Sequence, residues 1–84
     1  MVGRSSIKGG NMPLSMASEG ERVKIKCIDA GQGLRKRLHD LGLIENTNIE
    51  VITNQFSGPM ILKVLDSRVV LGRGQGNKIF VEIQ

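Results

Sequence analysis

The chain has 84 residues, with 12 Lys and Arg against 8 Asp and Glu. A single small domain buries too little surface to build a large α/β enzyme, and no apolar run approaches the ~18 residues of a membrane span. Its one cysteine, Cys27, has no partner in the chain, which excludes a disulfide-stapled scaffold.

The formal net charge is +4, and two of the positive charges, Arg4 and Lys8, lie near the start. The remainder is only mildly basic. There is no Trp or Tyr, and Phe56 and Phe80 are the only aromatic residues. Nucleic-acid binding would call for a stronger cationic stripe and more stacking rings, so no nucleic-acid partner is expected.

Residues 1–12 read as a flexible tail, rich in glycine and serine and without an apolar period. From Gly20 the pattern changes. Arg22, Lys24 and Lys26 alternate with Val23, Ile25 and Cys27, which predicts a half-buried strand with a basic outer face and Cys27 pointing inward. After the break at Gly31-Gln32-Gly33, Leu34, Leu38 and Leu41 are spaced as one face of a short helix. Gly42 stands where a helix C-cap belongs.

Four strand-like runs follow, at Asn48–Asn54, Met60–Leu65, Arg68–Leu71 and Lys78–Ile83. Ile79, Val81 and Ile83 share one face of the last. Asp66-Ser67 suggests a tight hairpin, and residues 72–77 read as a glycine-rich turn. Five short strands and one helix are best satisfied by a mainly β fold, a small closed or nearly closed barrel, since closure removes exposed edges. The barrel domain is expected to span residues 13–84.

Catalytic chemistry is poorly represented. No Gly-x-Ser-x-Gly elbow occurs. Gly72–Ile79 approaches a phosphate-binding loop, but Asn77 and Ile79 replace the glycine and hydroxyl residue that flank its lysine. Cys27 and His39 are too few for a structural zinc site, and a site built from His39 with Asp40 or Glu45 would face the nearby cations Arg35 and Lys36. No catalytic residue, cofactor or metal ligand is therefore assigned, and the protein is not expected to be an enzyme.

Two features point instead to interaction. Arg35, Lys36 and Arg37 are expected in the first turn of the helix, where the dipole disfavours cations. They would either serve an acidic or phosphate-rich partner or form a solvated face. On the strands, Ile52, Ile61, Leu65 and Phe80 are expected to point outward as an apolar patch, for docking or for self-association unless the helix or tail covers it.

The order and spacing of Gly20, Ile28, Gly33-Leu34, Arg37-Leu38, Leu41-Gly42-Leu43, Ile49-Glu50-Val51, Gly58-Pro59, Leu71 and Ile79-Phe80-Val81 resembles the FeoA family, small accessory proteins of bacterial ferrous-iron transport. The run Leu34–Leu43 is similar to the family's most recognisable segment. The resemblance implies an SH3-like barrel in a cytoplasmic protein whose partner is FeoB, a membrane permease with a cytosolic GTPase domain. Contact is expected through Leu34, Arg35, Lys36, Arg37, Leu38 and Leu41 of the helix, through Ile61, Leu65 and Phe80 of the strands, or through the strip of Arg22, Lys24 and Lys26. The same fold closes iron-dependent repressors, which implies an alternative, a transition-metal-binding or metal-sensing module. Two positions depart from the family's pattern. Asn46 replaces a glycine in the turn after the helix, where asparagine also tolerates a left-handed backbone. Gly74-Gln75-Gly76 replaces an acidic, alanine-containing stretch, which implies a more flexible loop.

Overall fold

A computed structural model describes residues 11–55 and 57–84. Among them one antiparallel sheet holds six strands: β1 (Met12–Pro13), β2 (Arg22–Ile28), β3 (Asn48–Asn54), β4 (Met60–Val64), β5 (Ser67–Leu71) and β6 (Ile79–Ile83). Their spatial order is β1-β6-β2-β3-β4-β5. A 3₁₀ turn, Leu14–Met16, follows β1. Helix α1 spans Gln32–Asp40, and a single helical turn, α2, spans Arg73–Gly76.

The sheet wraps one core, which takes alternate residues from each strand. Val23, Ile25, Ile49, Val51, Leu62, Ile79 and Val81 are all buried, with Leu38 and Leu43 closing one end. This is the mainly β fold that the strand pattern predicts and the SH3-like barrel that the resemblance implies, with six strands instead of five because Met12–Pro13 adds a short one. The sheet begins at Met12, which pairs with Val81, one residue before the expected boundary. Residues 1–10 of the expected tail lie outside the described residues, as does Phe56.

Cys27 does not point inward. A register shift between Ile25 and Cys27 inserts one extra residue into β2 opposite β6. Lys26 and Cys27 are consequently both exposed, and Ile28 returns to the core. A bulge of this kind breaks the period-two reading from that point on. Ile83 shares a face with Ile79 and Val81 but is 54% exposed, beyond the core.

The β4–β5 hairpin turns at Leu65-Asp66, one residue earlier than expected, with Val64 paired to Ser67. Leu65 has φ +57° and is 81% exposed. A branched side chain in the left-handed region is strained, and nothing is buried in return. Leu65→Gly is expected to raise stability by about 0.5–1 kcal/mol, measured as a higher denaturant midpoint at unchanged m-value.

Residues 72–77 are not a simple turn. They contain α2, whose start is held by Gly72 N–H donating to Gln75 Oε1 at 3.3 Å. Gly76 is buried, and a Cβ there would sit 3.2 Å from Met60 Sδ. The end of β3 joins α2 to the segment after β1. Asn54 Nδ2 donates to Ser15 O at 3.0 Å and Ala17 O at 2.5 Å, while Arg73 Nη2 donates to Asn54 Oδ1 at 2.6 Å. Ser15 Oγ also donates to Asn77 Oδ1.

Candidate partner-binding surface

Helix α1 starts at Gln32, with Gly31 as N-cap in an extended conformation. Arg35, Lys36 and Arg37 therefore stand in its middle and last turns, not its first. Arg37 and His39 lie where the dipole favours cations, so the electrostatic oddity expected from the sequence is absent.

The helix ends in a Schellman motif. Gly42 N–H donates to His39 O and Leu43 N–H to Leu38 O, both at 2.9 Å. Gly42 has φ +93°, and a Cβ there would meet Val64 Cγ1 at 3.2 Å. Buried Leu38 and Leu43 supply the apolar contact that accompanies this cap. Asn46 then takes φ +72°, the left-handed conformation expected of it.

Arg35 holds the helix to the barrel. Its Nη1 donates to Glu45 Oε2 at 2.9 Å and its Nη2 to Ile28 O at 2.8 Å. His39 Nε2 lies 3.4 Å from Glu45 Oε1. The Glu45 carboxyl is held below its usual range, first by a hydrogen bond from its own backbone, then, against some desolvation, by the charges of Arg35 and His39 and the Arg35 hydrogen bond. The ionised form therefore favours the folded state. That stabilisation is complete above the ordinary glutamate range and is lost as pH falls through the lowered folded value. Glu45→Gln is expected to flatten the acid limb of a stability-versus-pH curve and leave the neutral-to-alkaline limb parallel to wild type, as followed by urea unfolding.

With Arg35 so committed, the residues expected to meet a partner fall into separate places. Leu38 is buried, and Leu34 is half-buried against the core. Lys36 and Arg37 are exposed, and neither forms an ion pair with a described carboxylate. They lie on the outward side of α1, with exposed Asp40 one turn after Lys36 and with Leu41, the C-cap residue, which is 44% exposed, one turn after Arg37. Ile44, 45% exposed, follows directly after the cap. The sequence reading missed Ile44. Its signal was the neighbouring Gly42-Leu43 cap, which buries Leu43 and leaves the next residue facing out.

The predicted strand patch does not assemble. Phe80 pairs with Pro13 and Cys27, whereas Ile61 pairs with Thr53 and Val70. Strands β2 and β3 stand between them. Ile52 is half-buried at a second register shift, in β3. Leu65 belongs to another feature, an open groove of about 370 Å³ shared with Arg22, Asn48, Glu50 and Lys63. Of the basic strip, Lys26 pairs with Glu82 at 3.6 Å.

Of the donors near α1, His39 and Glu45 are brought together at 3.4 Å, with Arg35 already on the carboxylate, while Asp40 is exposed at the end of the helix. No three His, Cys, Asp or Glu side chains converge among the described residues. No described helix is long and apolar enough to cross a membrane.

Residues 12–83 match the FeoA domain model. The chain belongs to the FeoA family. It is 44% identical over 70 residues to the protein named "Putative Fe(2+) transport protein A" of Methanocaldococcus jannaschii, covering 83% of this chain and 84% of the relative. The crystal structure of an Iron Uptake Regulatory Protein (FeoA) superposes with a TM-score of 0.84 at 27% identity, over 88% of this chain and 99% of that one. A manganese-dependent transcriptional repressor superposes with a TM-score of 0.81, over 90% of this chain and 43% of the repressor. At 18% identity the repressor shares the fold alone. FeoA proteins are Fe(2+) transport accessory proteins, which is not an enzyme class.

Proposed function

We propose that this FeoA-family chain is a non-enzymatic regulatory protein of ferrous-iron transport that acts by direct contact with a FeoB-type membrane transporter at the cytoplasmic face. The observation that carries the reading is the outward side of α1. Lys36 and Arg37 have no carboxylate partner among the described residues, and exposed Leu41 and Ile44 lie beside them. Apolar residues beside two cations that lack an ion-pair partner suit a protein partner that carries acidic groups next to an apolar contact. The support beneath this surface is rigid: Arg35 ties α1 to Glu45 and Ile28, and the Gly42 cap fixes its end. A preordered surface loses little conformational entropy on binding.

Charge reversal tests the reading without touching the core. Lys36→Glu/Arg37→Glu is expected to fold normally and to lower Fe(II) uptake by about tenfold when it replaces the wild-type chain in cells with a cognate transporter, as disruption of a steered contact would. Uptake unchanged by this folded variant removes the α1 surface from the proposal.

A further inference from the structure

The two edges of the sheet are not alike. At one, β1 is two residues long and includes Pro13, which has no N–H to offer. At the other, β5 presents five residues. The two-residue turn at Leu65-Asp66 makes Val64 and Ser67 a hydrogen-bonded pair, and bonding alternates from there. Ser67, Val69 and Leu71 thus bond to β4, and the N–H and C=O groups of Arg68 and Val70 point away from the sheet. The hydrogen bonds of β3 agree with this phase. Val51 bonds to Gly20 and Glu21, which leaves Glu50 to face Lys63 of β4. Among the described residues no turn, loop or side chain bonds to the outward groups of Arg68 or Val70.

The side chains along this edge also have a pattern. Arg22, Glu50, Lys63 and Arg68 are successive cross-strand neighbours on the outer face. Lys63 and Arg68 oppose each other directly, and neither has a carboxylate within ion-pair distance among the described residues. Like charges placed opposite one another destabilise a sheet, and one edge cation would suffice to deter aggregation. Two residues along, Ile61 opposes Val70, which is 64% exposed. The edge therefore offers two cations beside an aliphatic pair, with backbone donors and acceptors between.

We infer that β5 is a docking edge for an extended acidic peptide segment of the pattern acidic-x-aliphatic, which adds to the sheet as a seventh strand. Residues two apart on the added strand fall on the same face. The acidic residue lies directly opposite Arg68, with Lys63 one strand further in, the aliphatic one opposite Val70, with Ile61 behind it, and the backbone bonds to Arg68 and Val70. A second copy of this chain fits worse. Antiparallel pairing of two β5 strands about Val69 sets each Arg68 against a Val70, with no carboxylate for either cation. The docking edge does not depend on the role proposed for α1.

The test uses the full chain, isotope-labelled, and a short synthetic peptide repeating Glu-Thr-Val-Thr, with a Lys-for-Glu peptide as control. Binding of the acidic peptide alone, with shifts centred on the Arg68 and Val70 amides and slowed exchange at both, is expected. Affinity should fall about tenfold or more in Lys63→Glu/Arg68→Glu, the loss of one to two desolvated charge contacts. Val70→Pro removes the outward N–H without touching the β4 ladder, and it too should abolish the amide protection. Lys36→Glu/Arg37→Glu should bind the peptide as wild type does, so failure of the α1 reading and failure of this one are separable. Equal binding of both peptides, shifts confined to α1, absence of binding, or amide protection that rises with protein concentration without peptide would each overturn the proposal.

Discussion

Gly42→Val is expected to cost about 3 kcal/mol, the sum of a left-handed backbone penalty and of overpacking. At φ +93° a β-branched residue is strongly disfavoured, and its Cβ would lie 3.2 Å from Val64 Cγ1. Both the helix cap and the packing of α1 on β4 are then disturbed. For a domain of this size the loss corresponds to a fall in Tm of ~12 °C or more. Gly58→Val is the matched control. Gly58 has φ +100°, but a Cβ there would meet nothing within 4 Å, so only the backbone penalty of ~1 kcal/mol is expected. Thermal unfolding of the two variants separates crowding from strain. Equal losses would show that Val64 moves aside and that the close approach at Gly42 contributes nothing.

Asn54→Ala is the second large effect, at about 2–4 kcal/mol. One side chain serves three partners: the carbonyls of Ser15 and Ala17 accept from Nδ2, and Arg73 donates to Oδ1. Truncation leaves all three without that partner in a partly buried site. The Asn54 backbone N–H keeps its bond to Glu19 Oε2 at 2.8 Å, so β3 itself should survive. Hydrogen exchange should report selective loosening of residues 14–19 and of α2, with β2 and β6 protected as in wild type. Uniform loss of protection would mean that these contacts are not a local clasp.

Most of the architecture was legible because burial alternates along strands and recurs every three to four residues on the helix. Val23, Ile25, Ile49, Val51, Ile79 and Val81 all fell where period two placed them. Gly42 announced the helix cap, and Asn46 its left-handed successor. The errors share a cause, which is that local geometry changed the count. One extra residue in β2 turned Cys27 outward. The helix began two residues before its first leucine, because Gly31 caps it without a side chain, and this moved Arg35, Lys36 and Arg37 out of the first turn. Helix α2 was hidden because its glycines read as a turn, whereas tertiary contacts with Ser15 and Met60 crowd Gly76.

The candidate site was half legible for the same reason. Periodicity assigns a residue to a face, but it does not say which strands are neighbours. Ile61 and Phe80 both turned away from the core centre, yet the order β1-β6-β2-β3-β4-β5 set them on strands separated by β2 and β3. Arg35 looked equivalent to Lys36 and Arg37 in the sequence. Only the fold brings Glu45 and the carbonyl of Ile28 within its reach.

The central claim is that α1 presents this chain to a FeoB-type transporter. Its most direct test is methyl NMR of the Leu- and Ile-labelled chain, titrated with full-length transporter in lipid nanodiscs. Selective broadening of the Leu41 and Ile44 methyls, with Ile25 and Ile79 affected only by the slower tumbling, is the predicted result. Broadening that spares Leu41 and Ile44, or spectra unchanged at saturating transporter, would contradict it.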